Sequence, residues 1–205
     1  AGEKIATFGT KGKGKSEFRN LRDIAISKEG TLYLCDEENK KVVVVNVVTA
    51  YAGPRLPEAA ILDRFTVKGP TAKFPHKTDV FAVTPEGKVV AWLPEARELA
   101  LLDGGTKKTL VKEGKLQGQL RSPRGLLVSP KNLIYAADTG NDRVQIFNPD
   151  GTYDNMFGES GSGEGQFKSP SGGAVNSSGN IYVADTRTKM VKAFSADGMF
   201  LFTVG

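Results

Sequence analysis

The chain is poor in the residues that many enzymes and small secreted scaffolds depend on. Its 205 residues include a single cysteine, Cys35, and a single histidine, His76. One cysteine excludes an internal disulfide, and a reducing compartment, the cytoplasm, is the simpler expectation for such a chain. One histidine is too few for the usual catalytic zinc site. No G-x-S-x-G occurs, so the nucleophile elbow of a hydrolase has no candidate. Cys35 lies inside TLYLCDE and reads as packed core, not as a nucleophile. No stretch of 18 consecutive apolar residues exists, so no membrane-spanning helix is expected. The opening AGEKIATFG lacks the apolar core of a signal peptide. These absences together point away from an enzyme, a cofactor, a metal site and a membrane partner.

Glycine and short apolar runs are what the chain has in quantity. With 24 Gly, 10 Pro and 39% hydrophobic residues, the composition suits many short strands joined by turns, an all-β class. The net charge is +5 with a pI near 9.2. Residues 1–117 hold 20 Lys and Arg against 15 Asp and Glu, while residues 118–205 hold 8 against 8. A surplus of this size permits an anionic partner without demanding one.

The organising feature is a repeat. Shifting residues 120–158 by 47 positions, without a gap, superimposes Ser122 on Ser169, Pro123 on Pro170, Gly125 on Gly172, Tyr135 on Tyr182, Asp138 on Asp185, Phe147 on Phe194 and Gly158 on Gly205. A period in the forties built from short strands is the signature of propeller blades. Phe18, Phe74, Leu120 and Phe167 open successive units, giving boundaries near 10–67, 68–111, 112–158 and 159–205 with an extra strand at 4–8. Strands are expected at 23–27, 31–35, 41–48 and 61–67, then at 79–84, 88–93, 97–103 and 107–111. The third and fourth units have them at 124–128, 132–137, 142–148 and 153–157, and at 172–176, 180–184, 189–195 and 199–204. Residues 49–60 read as a surface insertion. PEARELAL at 94–101 has a helical look, but its place in the repeat predicts a turn and a strand.

The units carry FGxxGxGxxxF (8–18 and 157–167), xxPxG, NIYVADT (180–186), NDRVQIF (141–147) and DGTYDNMFG (150–158) segments, close to FGxxGxGxGxF, xxPxGIAV, GNIYVADT, NxRVQxF and DGxFxxxFG. On these the chain resembles the NHL-repeat family, most closely the C-terminal propellers of tripartite-motif proteins. Units three and four match well, unit one less so and unit two weakly, with Leu93 where the others have Asp36, Asp138 and Asp185. The resemblance implies an NHL-type β-propeller with four four-stranded blades in a single domain, standing alone or as part of a larger ring. It also implies a non-catalytic recognition module of a RING-type ubiquitin ligase whose catalytic domain lies outside these residues. The NHL-like lyase that completes peptide amidation uses several histidines, and this chain departs from it there.

GTKGKGKS at 9–16 fits G-x-x-x-x-G-K-[ST]. A phosphate loop, however, needs a helix directly behind it, and EFRNLRDIAIS reads as loop and strand. The fourth unit has glycines at the same places without GKS, so the glycines belong to the repeat and no nucleotide is expected. The three Asp residues end second strands, where a turn-forming role outweighs metal ligation. The stronger functional candidates are basic. Arg19, Arg22, His76, Lys77, Arg121, Arg124 and Lys168 lie ahead of first strands, and Arg143, Arg187 and Lys189 lie between second and third strands, as do Lys40 and Arg97. In a propeller both loop sets open on one face, and such a face would bind RNA through phosphate contacts and unstacked bases. Two alternatives stand beside this reading. One is a protein-docking platform centred on Leu56, Trp92 and Leu93; the other is an extracellular or periplasmic sensor propeller.

Overall fold

The computed structural model describes residues 10–13, 17–26, 31–36, 38–39, 41–47, 65–73, 80–103, 105–176 and 178–205. The expected strand at 4–8, the insertion at 49–60, Lys40, Leu56, Phe74, His76 and Lys77 lie outside the described residues. The chain divides into two compact units, residues 1–79 and 80–205.

In the first unit, β1 (Thr10–Lys11) pairs in parallel with β2 (Glu17–Phe18). Then β3 (Leu21–Ile26), β4 (Thr31–Asp36), β5 (Lys41–Val47) and β6 (Phe65–Lys73) form a four-stranded antiparallel meander. A strand, β3, follows the GKS stretch. The last strand starts later and runs six residues beyond the 61–67 expectation. Gly69-Pro70 reads as a chain break in the sequence, but Pro70 sits on an outer strand between two register shifts, where a missing N–H is tolerated.

The second unit holds three further meanders. One is β7 (Phe81–Val83), β8 (Val89–Leu93), β9 (Glu98–Asp103) and β10 (Thr106–Lys112). Residues 94–97 are a turn, as repeat position predicts. The next is β11 (Gly125–Val128), β12 (Ile134–Asp138), β13 (Arg143–Phe147) and β14 (Tyr153–Phe157). The last is β15 (Pro170–Val175), β16 (Ile181–Asp185), β17 (Met190–Phe194) and β18 (Phe200–Val204). With the first unit's meander this makes four four-stranded sheets among the described residues.

Strand alternation builds the core. On β12, Ile134 and Ala136 join a cluster with Val90, Trp92, Leu99 and Val111 of the second sheet, whereas Tyr135 joins one with Ile181, Val183 and Phe194 of the fourth. The third sheet is thus apolar on both faces, and its side-chain period of two splits one strand between two cores. Phe157, Phe167 and Phe194 meet with ring centroids 4.5–6.4 Å apart. Two turns show why glycine recurs. Gly151 and Gly198, 47 residues apart, have φ of +94° and +89°. A Cβ on Gly151 would lie 2.7 Å from the Leu110 carbonyl oxygen, and one on Gly198 would lie 2.8 Å from the Phe157 ring.

Candidate functional site: the basic loop side of the sheets

Three aspartates at the ends of second strands shape the loops. Asp36, Asp138 and Asp185 are fully buried. The Asp138 carboxylate accepts from the backbone N–H of Arg121 at 2.6 Å, from Asn141 Nδ2 at 2.9 Å, from Arg143 Nε at 2.8 Å and from Gln145 Nε2 at 3.0 Å. Asp185 accepts from the N–H groups of Lys168 and Ser169 at 3.1 and 2.8 Å. Asp36 accepts from those of Arg19 and Asn20 at 3.2 and 3.1 Å and from Asn39 Nδ2 at 2.6 Å. Each carboxylate, at the end of a second strand, holds the loop ahead of the first strand, and those of Asp36 and Asp138 also take the turn that follows through Asn39 and Asn141, so both loop sets lie on the same side of their sheet. These bonds give the carboxylate oxygens a loop-holding role, and no group of three or more His, Cys, Asp or Glu placed to hold a metal ion occurs among the described residues.

A second set of contacts fills the loops ahead of the sheets. Asn39 and Asn141 donate to the equivalent carbonyls of Gly12 and Gly114 at 2.9 and 3.1 Å. Gln145 Nε2 donates to the Gln119 carbonyl while its Oε1 accepts from Gly118 N–H. Lys192, the counterpart of Gln145, is buried beside Asp185 at 3.8 Å and donates to the carbonyls of Gly163 and Gln166. Sequence reasoning missed these two. The available signal was a polar side chain at the same position of two apolar strands, RVQIF and MVKAF.

The basic candidates separate into committed and uncommitted groups. Arg143 opens a strand, and its guanidinium is spent on Asp138 and on the carbonyls of Lys115, Leu116 and Gln119. It belongs to the scaffold rather than to a ligand surface. Arg97 pairs with Glu113 at 3.2 Å. Arg121, Arg124, Lys168, Arg187 and Lys189 are exposed, and none has a side-chain hydrogen bond or ion pair among the described residues. They lie in or beside the loops of the third and fourth sheets that Asp138 and Asp185 hold. Arg19 is exposed at the equivalent place in the first sheet, and Arg22 lies within β3. Two acids of these loops are already engaged: Asp142, in the turn of the third sheet, accepts from Ser160 Oγ of the loop ahead of the fourth sheet at 2.8 Å, and Glu159 accepts from Gln166 Nε2 at 2.9 Å. Trp92 and Leu93 are buried strand residues and not loop residues, so a docking surface would not be centred on these two; Leu56, named with them, lies outside the described residues. Trp92 and Leu93 face neighbours because β8 is buried on both sides.

The second sheet inverts the clasp. Leu93 replaces the aspartate, and its cross-strand partner is Glu98, where the third sheet has Arg143 opposite Asp138. Buried Glu98 accepts from Lys107 at 2.5 Å, Lys112 at 2.6 Å and Thr109 at 2.9 Å. Hydrogen bonds from Lys107 and Lys112 hold its carboxyl at about 2, below the usual 4.5, against the opposing effect of burial. A carboxylate with a depressed value stabilises the fold fully above about pH 4.5, and that contribution is lost as pH falls toward about 2. Because Lys107 and Lys112 are 44% and 68% exposed, solvent screening reduces the contribution to about 2 kcal/mol. Glu98→Gln should therefore lower stability at pH 7 and flatten its decline between pH 5 and about 2. Urea denaturation at several pH values checks this; equal slopes for variant and parent would contradict it.

On the other side, a cleft of about 370 Å³ opens between the third and fourth sheets. Asn132 Nδ2 bridges to Glu86 Oε1 at 2.6 Å where the second and third sheets meet. The corresponding residues at the next junction are Lys131 and Gly179, which cannot form that bridge. Tyr135 lines the cleft, and burial together with the Asp154 charge raises its phenol pKa.

Repeated four-stranded meanders packed face to face define a β-propeller fold. Solved structures agree at the level of fold. The chain is similar to "Streptogramin B lyase structure" with a TM-score of 0.59 and 12% identity, covering 88% of this chain and 53% of that one. It is similar to hydrazine synthase of Kuenenia stuttgartiensis with a TM-score of 0.60 and 17% identity, covering 95% and 51%. Virginiamycin B lyase from Staphylococcus aureus gives 0.57 and 14%, covering 87% and 53%. The chain thus spans about half the length of these structures. A more specific likeness comes from sequence: residues 120–147, which include Asp138, match the NHL repeat. Over 48 residues the chain is 44% identical to protein brain tumor of Drosophila melanogaster, a stretch that is 23% of this chain and 5% of that protein.

Proposed function

We propose that the chain is a non-catalytic recognition module that binds RNA through the basic loop side of its third and fourth sheets. The observation that carries this reading is the set of five exposed, uncommitted cations (Arg121, Arg124, Lys168, Arg187 and Lys189) on loops held by buried carboxylates. Their backbone is fixed while their side chains are free. That arrangement suits phosphate contacts, which depend on placed charge more than on shape. In a longer protein of the tripartite-motif kind, ubiquitin transfer would belong to a RING domain elsewhere, and the module would work in the cytoplasm.

Fluorescence anisotropy with a labelled single-stranded RNA tests it. Binding should weaken with added salt. Arg124→Glu, Lys168→Glu and Arg187→Glu together should cost about a hundredfold in affinity and lower the log–log salt slope by about 2. Circular dichroism should show the fold unchanged, since all three residues are exposed. Absence of binding at low salt, or an unchanged affinity in the triple variant, would retire the proposal.

A further inference from the structure

The cleft on the side away from the basic loops has a structural cause that the repeat exposes. The turns between first and second strands are built alike in the last three sheets. The N–H groups of Gly87, Asn132 and Gly179 donate to the carbonyls of Thr84, Ser129 and Asn176 at 2.8, 2.9 and 2.9 Å. Where the second and third sheets meet, two of these turns are tied together by the Glu86–Asn132 hydrogen bond at 2.6 Å. At the next junction Lys131 stands in the place of Glu86 and Gly179 in the place of Asn132. The backbone is kept, since Asn132 and Gly179 have φ of +66° and +87°; only the side chain is gone. A Cβ on Gly179 would lie 3.1 Å from the Ala196 Cβ, and Gly179 and Ala196 both line the cleft. The space of about 370 Å³ therefore opens where the fourth unit drops the residue that ties the preceding junction. It lies in the size range of small-molecule sites, about 300–1,000 Å³.

The lining has two halves. The floor is apolar: Tyr135 and Ile146 belong to the core shared by the third and fourth sheets, and Leu133 packs against it. The walls are acidic, with Asp154 of β14 and Asp197 of the last turn against one cation, Lys131. Asp197 accepts from Ser195 Oγ, and that bond holds its carboxyl below the usual carboxylate range. Asp154 and Lys131 make no side-chain hydrogen bond or ion pair among the described residues. The Asp154 charge is nevertheless felt at the floor, where it adds to burial in raising the Tyr135 phenol. A carboxylate beside apolar surface, with no cation of its own chain upon it, favours a positive charge brought from outside.

We propose that this cleft binds a small organic cation, a primary amine or guanidine carried on an aromatic or aliphatic body, with its charge at Asp154 and its body on Leu133, Tyr135 and Ile146. A ligand of this shape satisfies both halves of the lining. An anion would be met by two carboxylates and a single lysine, and a neutral hydrocarbon would leave Asp154 without a counter-charge while taking water from it. The inference does not rest on RNA binding, because the basic loops lie at the opposite ends of these strands.

Phenethylammonium is the probe, titrated into the isotope-labelled full chain and followed by amide chemical shifts. It should bind with a dissociation constant on the order of 1 mM, the scale for a ligand of its size, and move the amides of Leu133, Tyr135, Ile146 and Gly179. Hydrocinnamate, which carries a carboxylate on the same ring and two-carbon chain, should bind about tenfold more weakly. Asp154→Asn should weaken phenethylammonium about fivefold, the scale of one exposed charge pair. Gly179→Asn, which imports the side chain of the neighbouring junction in the same left-handed conformation, should abolish binding with the melting temperature held. Amides that stay unmoved at about 10 mM phenethylammonium, ten times the expected constant, overturn the proposal. So does equal binding of the two probes, or an affinity that either substitution leaves unchanged. If Gly179→Asn unfolds, Ala196→Leu, at an exposed position of the same wall, replaces it in the titration.

Discussion

Asp138→Ala is expected to destabilise the chain by about 3–5 kcal/mol, because the substitution leaves a buried guanidinium without its counter-charge. The Arg143 side chain is 12% exposed and the Asp138 side chain 0%. Once the carboxylate is gone, the cation keeps only carbonyl partners. Three further donors lose their acceptor at the same time: Arg121 N–H, Asn141 Nδ2 and Gln145 Nε2. Buried donors left without partners cost more than the bonds were worth. The double variant Asp138→Ala/Arg143→Met should recover a good part of the loss, since removing both charges is less harmful than removing one. Urea denaturation of the two single variants and the double variant measures the coupling. Additive losses would mean that the ion pair does not hold the loop.

Lys192→Ala should be the second most damaging change, costing about 3 kcal/mol through a buried cavity, orphaned carbonyls and a weakened partner for Asp185. The protein contains its own control. Gln145 stands at the same register position in the preceding sheet and binds the same kind of loop carbonyl with an uncharged amide. Lys192→Gln should therefore be tolerated to within about 1.5 kcal/mol, the scale of a single neutral hydrogen bond. Thermal or denaturant unfolding of the two variants gives the ordering. Equal losses would show that the charge, not the bond to the loop carbonyls, is what the position requires.

Most strands were readable in advance because two signals coincide. The apolar runs are short, and turn residues recur at a fixed distance from a conserved phenylalanine or leucine within the chain's own repeat. The turn at 94–97 shows how much the repeat adds, since local propensity alone favours a helix there. The end of β6 was misjudged because Gly69-Pro70 is punctuation in sequence but is accommodated at an outer-strand bulge. The loop side was legible as a set of positions, but not in the division of labour among its cations. Arg143 and Arg187 look alike in sequence. One is drawn in by a carboxylate five residues earlier, and the other, two residues after Asp185, is exposed. Trp92 and Leu93 fall inside the strand expected at 88–93, and there both are buried, which takes them out of any loop surface.

The carboxylate clasps grip main-chain amides, and this has a consequence for how such modules can diversify. Arg19, Arg121 and Lys168 contribute only their N–H groups to Asp36, Asp138 and Asp185. Any residue except proline can supply that group. The three side chains are thus exempt from the selection that preserves the blade. A lineage could exchange them one at a time and alter what the surface prefers, while the architecture beneath stays the same.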